Sequence, residues 1–177
     1  MCGIVGFTGH RQAAPVLLDG LSKLEYRGYD SAGLAVQQPG GTAMIVKAKG
    51  RLKVLADKTE QGATMPGTCG VGHTRWATHG EPNDVNAHPQ VSQSGTFAVV
   101  HNGIIENYAE LKNSLLKKGY TFRSETDTEV VAQLLDWYYR ESRDVFEAVT
   151  SMLSAVDGTY ALGILCADTP DRIIAAR

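Results

Sequence analysis

Apolar residues recur along the chain in two periods, and together they predict a mixture of helices and strands. Helical spacing is found over 14–24, 126–138 and 145–156, with a short, weaker helix over 54–58. Asn107 and Thr126 are each followed three positions later by glutamate, which predicts capping boxes that open helices at both places. Strand-like runs occupy residues 2–9, 32–36, 43–48, 70–76, 96–100, 160–167 and 172–176.

The order of these elements predicts the fold class. Most of the strands come first, the longer helices follow, and two strands close the chain, without the regular strand–helix alternation of a parallel α/β fold. We therefore expect an α+β domain whose helices and sheets lie in separate layers. No repeat, low-complexity segment or linker interrupts the 177 residues, so we expect one domain over 1–177.

Composition narrows the classes of function. Hydrophobic residues make up 43% of the chain, charged residues 20%, and the net charge is −2. There is no basic run of the kind that binds nucleic acid and no apolar stretch long enough for a membrane span. The N-terminus lacks the charged and apolar regions of a secretory signal, so we expect a cytoplasmic protein.

The cysteines and histidines do not predict a metal site or disulfides. The three cysteines are an odd number without CxxC spacing, which argues against a disulfide framework or a zinc ribbon. Cys166 lies in an apolar run and Cys69 just before a strand, so we expect both to be buried structural thiols. The other candidate zinc ligands are Cys69, His73, His79 and His88, and their spacing matches no usual zinc site. We therefore expect no metal and no cofactor.

Cys2 is the first candidate for chemistry. If Met1 is removed, Cys2 carries a thiol nucleophile and a free α-amine in one residue. The reference pKa of an α-amine is about 7.7–8.0 and that of a thiol about 8.5, so proton transfer between them costs only about 1 kcal/mol or less. An N-terminal amine is an established activator of a nucleophile. The alternative is that Cys2 merely follows the start codon.

Three further segments carry side chains suited to a small zwitterionic ligand. Arg75 has the planar fork that holds a carboxylate, although a surface salt bridge would use it equally well. Asn102 and Gly103 place an amide beside an unhindered backbone N–H, as an oxyanion hole requires, or else form a simple turn. Asp127 lies in the first turn of a predicted helix, where it either binds an ammonium group or complements the helix dipole.

Taken together, these segments resemble the glutaminase domain of glutamine–fructose-6-phosphate aminotransferases (glucosamine-6-phosphate synthases). Six blocks occur in the order of that family: CGIVG at 2–6, LEYRGYDSAG at 24–33, GHTRWATHG at 72–80, NAHP at 86–89, HNGIIEN at 101–107 and SETDTE at 124–129. The resemblance covers essentially the whole chain. The glutaminase of phosphoribosyl amidotransferase is related, but it differs in the blocks around Tyr26 and Trp76.

The resemblance implies an N-terminal-nucleophile (Ntn) hydrolase fold, a four-layer αββα sandwich of antiparallel sheets. It implies that this glutamine amidotransferase type 2 domain continues past Arg177 in the family, so we expect the sheet to be incomplete at its C-terminal end. The isomerase domain of the same polypeptide would be a partner that this chain lacks. We expect the full-length form to be a homo-oligomer.

The resemblance also implies a reaction and roles for particular residues. L-glutamine is hydrolysed to L-glutamate and ammonia through a γ-glutamyl thioester on Cys2, and the ammonia converts fructose 6-phosphate to glucosamine 6-phosphate. Asn102 and Gly103 hold the oxyanion, Arg75 binds the α-carboxylate of glutamine, and Asp127 binds its α-ammonium group. The residues expected to line or cover the pocket are Trp76, Thr78, His79 and His88.

Three rival interpretations stay open at this point. The chain could be a truncated glutaminase fold that binds glutamine without turnover, which retention of Met1 would favour. It could be the glutaminase of another amidotransferase, such as one acting on a phosphoribosyl compound. A metallohydrolase is the third alternative.

Overall fold

The computed structural model describes residues 2–77 and 80–177. Over these residues it contains eight strands and five α-helices. The strands are β1 (Gly3–Thr8), β2 (Ser31–Gln37), β3 (Ala43–Lys49), β4 (Cys69–Arg75), β5 (Gln90–Val91), β6 (Phe97–Ile105), β7 (Gly158–Cys166) and β8 (Ile174–Ala176). The helices are α1 (Ala13–Ser22), α2 (Leu52–Lys58), α3 (Tyr108–Lys117), α4 (Asp127–Ser142) and α5 (Val145–Ala155).

The strands form two antiparallel sheets of four strands each. The first has the order β1-β4-β2-β3, and the second has the order β5-β6-β7-β8. In the first sheet the start of β1 pairs with the end of β4, with Gly3 opposite Thr74. This register places Cys2 beside the residues that follow β4, and it therefore fixes one edge of the site described below.

Alternation along the strands separates the core into layers. In β2, Leu34 and Val36 pack with α1 and α2, whereas Ala35 between them packs against the second sheet. On the far side of the second sheet, Phe97 and Ile164 pack against α4 and α5. The layers are therefore helices, sheet, sheet and helices, which confirms the αββα sandwich expected from the family resemblance.

Gly72 in β4 shows why the helical layer lies so close to the first sheet. A Cβ atom at this position would lie 2.9 Å from Leu21 of α1 and 2.8 Å from Leu34 of β2. Any larger side chain would have to displace the ends of these leucine side chains. The glycine therefore leaves room for α1 to pack closely on the sheet.

The helices expected from periodicity are confirmed, but both predicted capping boxes are wrong. The side chain of Asn107 makes no cap and bonds instead to Asp157 and the carbonyl of Ala155. Thr126 likewise makes no side-chain cap on α4, since its hydroxyl bonds to that of Ser124, and Glu129 accepts from the N–H groups of Arg123 and Ser124. In both places the polar side chain forms hydrogen bonds with groups outside the first turn of the helix.

The strand predicted over 96–100 is longer than expected. β6 runs to Ile105 and pairs with β7 along its whole length, with Asn102 opposite Ala161 and Gly103 opposite Tyr160. The Asn-Gly pair therefore lies inside a ladder and does not form a turn. The two-residue strand β5 was not predicted.

Across residues 2–77 and 80–177, every helix is too short or too polar to cross a membrane.

Candidate active site

Segments that are far apart in sequence meet at one cavity of about 560 Å³. Among them are the residue before β1, the end of β4, the second half of β6 and the start of α4. Nine residues were predicted for the site, and the seven that the structure describes all line this cavity: Cys2, Arg75, Trp76, His88, Asn102, Gly103 and Asp127. The other two, Thr78 and His79, lie outside the described residues.

Cys2 presents its thiol to the cavity at the start of β1. The backbone N–H of Trp76 donates to Sγ over 3.1 Å, and Sγ lies 3.5 Å from the carbonyl oxygen of the same residue. An N–H donor of this kind stabilises sulfur that carries negative charge. The thiol is thus held by the backbone that follows β4, and it is half-buried rather than enclosed.

Asn102 and Gly103 present donors beside the thiol. Nδ2 of Asn102 donates to the carbonyl oxygen of Cys2 over 3.2 Å, which leaves its second hydrogen for a ligand. Gly103 has φ of 122°, and a Cβ atom there would lie 2.0 Å from the carbonyl oxygen of Thr159. Only glycine fits this position, and the backbone of Gly103 is exposed in the cavity.

Arg75 and Asp127 bring opposite charges to the same cavity. Arg75 is buried, and Nη2 donates to the carbonyl oxygen of Gly80 over 3.3 Å. Burial lowers the pKa of the Arg75 guanidinium, and the nearby groups Cys2, Asp127 and Asp30 act in the opposite direction. Oδ2 of Asp127 accepts the N–H of Ile105 over 2.9 Å. The carboxylate is thereby fixed at the cavity wall.

His88 and Trp76 form further parts of the wall. The Nε2 atom of His88 lies 3.1 Å from Oγ1 of Thr128, and burial lowers the pKa of this imidazole well below its usual value. His88 therefore contributes a neutral polar ring. The Trp76 side chain is 45% exposed and contacts Tyr29 edge to face, with ring centroids 5.5 Å apart.

Comparison with known proteins identifies the family. The protein-family model of the glutamine amidotransferase domain matches residues 73–177 of this chain. The chain belongs to the glutamine amidotransferase domain family.

Relatives of this amidotransferase domain cover its whole length. Glutamine–fructose-6-phosphate aminotransferase (isomerizing) of Caldanaerobacter subterraneus subsp. tengcongensis is 60% identical over 177 residues. The proteins of the same name from Clostridium tetani and Thermus thermophilus are 54% and 52% identical. In each case the match covers 100% of this chain and 28% of the relative, so the chain spans little more than a quarter of their length.

Solved structures agree with the amidotransferase fold. Glutamine phosphoribosylpyrophosphate amidotransferase from B. subtilis, in complex with ADP and GMP, matches with a TM-score of 0.80 and 28% identity. That match covers 94% of this chain and 35% of the solved chain. A glutamine aminotransferase class-II domain protein from Silicibacter pomeroyi shares the fold with a TM-score of 0.60 at 14% identity, covering 84% and 68% of the two chains.

Several residues of the amidotransferase cavity were not predicted. β7 contributes a wall because its register with β6 places Tyr160 opposite Gly103. No local pattern reveals such a pairing between distant strands. The unpredicted lining residues are Arg27, Ile104, Thr159, Tyr160 and Ala161, with His101 beside them.

Asp30 was also missed, although it lies inside the block at 24–33 that carries the resemblance. Its N–H donates to the carbonyl oxygen of Arg75 over 3.0 Å, and Oδ2 accepts the N–H of Ala77, also over 3.0 Å. Asp30 therefore holds the backbone on both sides of Trp76.

The two structural cysteines were predicted correctly, since Cys69 and Cys166 are both buried. Within the described ranges, no three side chains of the metal-ligating types come together as a metal site.

Proposed function

We propose that this domain hydrolyses L-glutamine to L-glutamate and ammonia. The observation that carries the proposal is that one cavity contains a thiol, a guanidinium, a carboxylate and an amide donor, from Cys2, Arg75, Asp127 and Asn102. Glutamine offers the complementary groups: an α-carboxylate, an α-ammonium group and a side-chain amide. The family to which the chain belongs supports this assignment.

Binding uses the two fixed charges. Arg75 would take the α-carboxylate of glutamine in its planar fork, and Asp127 would accept hydrogen bonds from the α-ammonium group. Both protein groups are already held by backbone partners, at Gly80 and Ile105 respectively. A pre-positioned pair of this kind orients the side-chain amide of glutamine toward Cys2 at little further entropic cost.

The reaction then proceeds through the thiol. Sγ of Cys2 attacks the amide carbon while its proton passes to the α-amine of Cys2, which is free only after Met1 is removed. Nδ2 of Asn102 and the N–H of Gly103 stabilise the tetrahedral oxyanion. The intermediate collapses with protonation of the leaving nitrogen, which departs as ammonia and leaves a γ-glutamyl thioester. Water attacks the thioester, releases L-glutamate and restores the thiol.

The wider reaction is also a proposal, because the chain spans 28% of its relatives. Those relatives are named as glutamine–fructose-6-phosphate aminotransferases, which supports transfer of the ammonia to fructose 6-phosphate, giving glucosamine 6-phosphate, on an isomerase domain of the same polypeptide. The identity of 52–60% to them, against 28% to the phosphoribosylpyrophosphate enzyme, favours the sugar phosphate as acceptor. The cytoplasmic location, the homo-oligomeric full-length form and the extent of the domain stay predictions.

The test is intact-mass spectrometry before and after incubation with 6-diazo-5-oxonorleucine, a glutamine-like electrophile that alkylates a reactive thiol. We expect a starting mass without methionine and one adduct that maps to Cys2. C2A should lose both the adduct and glutamine hydrolysis, by at least about 10³-fold. C69A, which removes a buried thiol outside the cavity, should keep both.

Two results would contradict the proposal. One is glutamine hydrolysis by C2A at the rate of the unsubstituted protein. The other is a mass that retains Met1 together with no adduct, which would favour the binding module without turnover.

A further inference from the structure

His73 is a buried histidine of β4 whose ring reaches across from the first sheet to the second. Its Nε2 atom lies 2.9 Å from Oδ1 of Asn102 and 3.0 Å from the carbonyl oxygen of His101. The side chain is fully buried, so these contacts are shielded from water. The proposed reaction assigns His73 no role.

The two contacts determine which ring nitrogen of His73 carries the proton. The carbonyl oxygen of His101 can only accept a hydrogen bond, so Nε2 must be the donor. Nδ1 has no hydrogen-bond partner among the described residues, and nothing there stabilises a second proton. Burial accordingly lowers the pKa of His73 to about 4. The ring is therefore neutral and in the Nε2–H tautomer near neutral pH.

This tautomer in turn determines how the amide of Asn102 is oriented. A side-chain amide can present either its oxygen or its nitrogen in a given direction. Because Nε2 of His73 carries a hydrogen, the donor nitrogen of the Asn102 amide cannot face it, so Oδ1 faces His73 and Nδ2 faces Cys2. If the amide were flipped, its oxygen lone pairs would face the carbonyl oxygen of Cys2 and the developing oxyanion, and would repel both.

We propose that His73 is a positioning residue of the oxyanion hole: it donates from Nε2 to Oδ1 of Asn102 and so keeps Nδ2 directed at the reacting centre. The inference rests on the proposed glutaminase function. His73 touches no reacting atom in this scheme, and its effect on the rate passes through Asn102 alone.

The first experiment compares glutamine hydrolysis by H73F and H73Q. Phenylalanine keeps the ring but has no donor, whereas the amide nitrogen of glutamine reaches about as far as Nε2 of histidine. We expect H73F to lower kcat by about 10–100-fold, somewhat less than the full loss of one oxyanion donor, with KM for glutamine changed by less than about threefold. H73Q should restore much of the lost kcat.

The second experiment places H73F in the N102A background. Because the effect of His73 passes through Asn102, we expect H73F to change kcat by less than about twofold once that amide is absent. Q37M is the matched control for lost stability. Gln37 is a buried residue of the same sheet whose amide bonds to the carbonyl of Cys166 and the N–H of Asp171, so Q37M should lower Tm without changing kcat.

A spectroscopic test uses the unsubstituted protein. It therefore depends neither on the folding of a variant nor on enzymatic activity. Ring ¹⁵N chemical shifts of His73 should report the neutral Nε2–H tautomer from pH 5.5 to 8. An imidazolium or an Nδ1–H tautomer in this range would overturn the inference.

The outcomes separate this inference from the proposed function. If the unsubstituted protein hydrolyses glutamine, then equal activity of H73F, or additive losses in H73F/N102A, would refute the role of His73 and leave the glutaminase intact. If the unsubstituted and correctly processed protein hydrolyses no glutamine, the proposed function fails and this inference fails with it, whatever tautomer the spectrum shows.

Discussion

Asp127 illustrates, at the scale of single residues, how a side chain proposed to bind the ligand also has partners within the fold. Its Oδ2 atom accepts the N–H of Ile105, and its Oδ1 atom lies 3.5 Å from Oγ1 of Thr128 and 3.9 Å from Nδ1 of His101. As the first residue of α4, it also faces the positive end of the helix dipole. The charge is therefore well supported before any ligand binds, and the proposed ammonium group adds to existing partners.

The first residue-scale prediction concerns D127N. Asparagine keeps an oxygen that can accept the N–H of Ile105 but loses the negative charge proposed to bind the α-ammonium group. We expect kcat/KM for glutamine to fall by about 10–100-fold, corresponding to about 1.5–3 kcal/mol for a charged hydrogen bond, mostly through KM. Steady-state kinetics measure this change.

D19N is the control for D127N, since Asp19 is an exposed acid that pairs with Lys23 at the protein surface, away from the cavity. Its kinetics should match those of the unsubstituted protein. A KM for D127N equal to that of D19N would show that Asp127 supports the fold and does not bind substrate.

The pairing of β6 with β7 shows what a whole element contributes to the site. The ladder runs from Phe97 opposite Cys166 to Ile105 opposite Gly158, so the strand continues past the core and out along the cavity. In the last part of β6, Asn102 is partly accessible and Gly103 is exposed. The neighbouring strand β7 supplies another part of the cavity wall. The proposed oxyanion donors are thus carried by a strand rather than by a turn.

G103A tests this close approach of the two strands. An alanine at Gly103 must adopt φ of 122° and bring Cβ to 2.0 Å from the carbonyl oxygen of Thr159, so the ladder must open locally. We expect the free energy of unfolding to fall by about 3 kcal/mol or more and glutamine hydrolysis to fall by at least about tenfold. Denaturant unfolding and the glutaminase assay measure the two effects.

G95A is the matched control, because Gly95 also has a positive φ, of 80°, but among the described residues no atom beyond its chain neighbours lies within 4 Å of a Cβ placed there. It should show only the conformational cost, about 1–2 kcal/mol, and normal kinetics. Equal effects of the two substitutions would mean that the contact with Thr159 has no energetic role.

At the scale of the whole molecule, the stacking of two sheets buries a group of ionisable side chains between them. His73 and His88 lie with ring centroids 4.4 Å apart, and the rings of His88 and His101 are 6.3 Å apart. All three are buried. Burial lowers the pKa of His73 to about 4 and that of His88 well below its usual value, so folding keeps both rings neutral. The assembled fold, not any local segment, creates this environment.

The resulting prediction is a loss of stability in mild acid. The pKa of His73 is about 4 in the folded state against 6.5 in the unfolded state, so its stabilisation is fully present above pH 6.5 and is lost as the pH falls toward 4. The loss from this residue is on the order of 3 kcal/mol. H73Q, which cannot titrate, should therefore show a shallower fall in unfolding free energy between pH 6.5 and 4.5, measured by urea unfolding.

H10Q is the comparison for this titration, because His10 is exposed. If the unfolding free energy of H73Q fell as steeply with pH as that of H10Q, the folded protein would have to accept a proton on His73. That would contradict the burial of this ring.

Much of the fold and of the site was predictable because the signals are local. The 3.6-residue period of α1, α4 and α5 and the apolar runs of the main strands depend on neighbours within a few positions, and these elements were found with small errors at their ends. The candidate chemistry of Cys2, Arg75, Asn102 and Asp127 also follows from residue types within short motifs. The family resemblance then implied the αββα arrangement, which the structure and its relatives confirm.

The amino-acid sequence by itself thus determined the elements, the family and the residues carrying reactive groups. Only the tertiary structure decided which distant partners they meet: Asn107 bonds to Ala155 and Asp157 instead of capping α3, and His73 meets Asn102 across the two sheets. The physical reason is that periodicity and propensity act over a few residues. Strand register and sheet stacking are set by contacts between segments far apart in the chain, so the cavity and its hydrogen bonds exist only once those segments have packed.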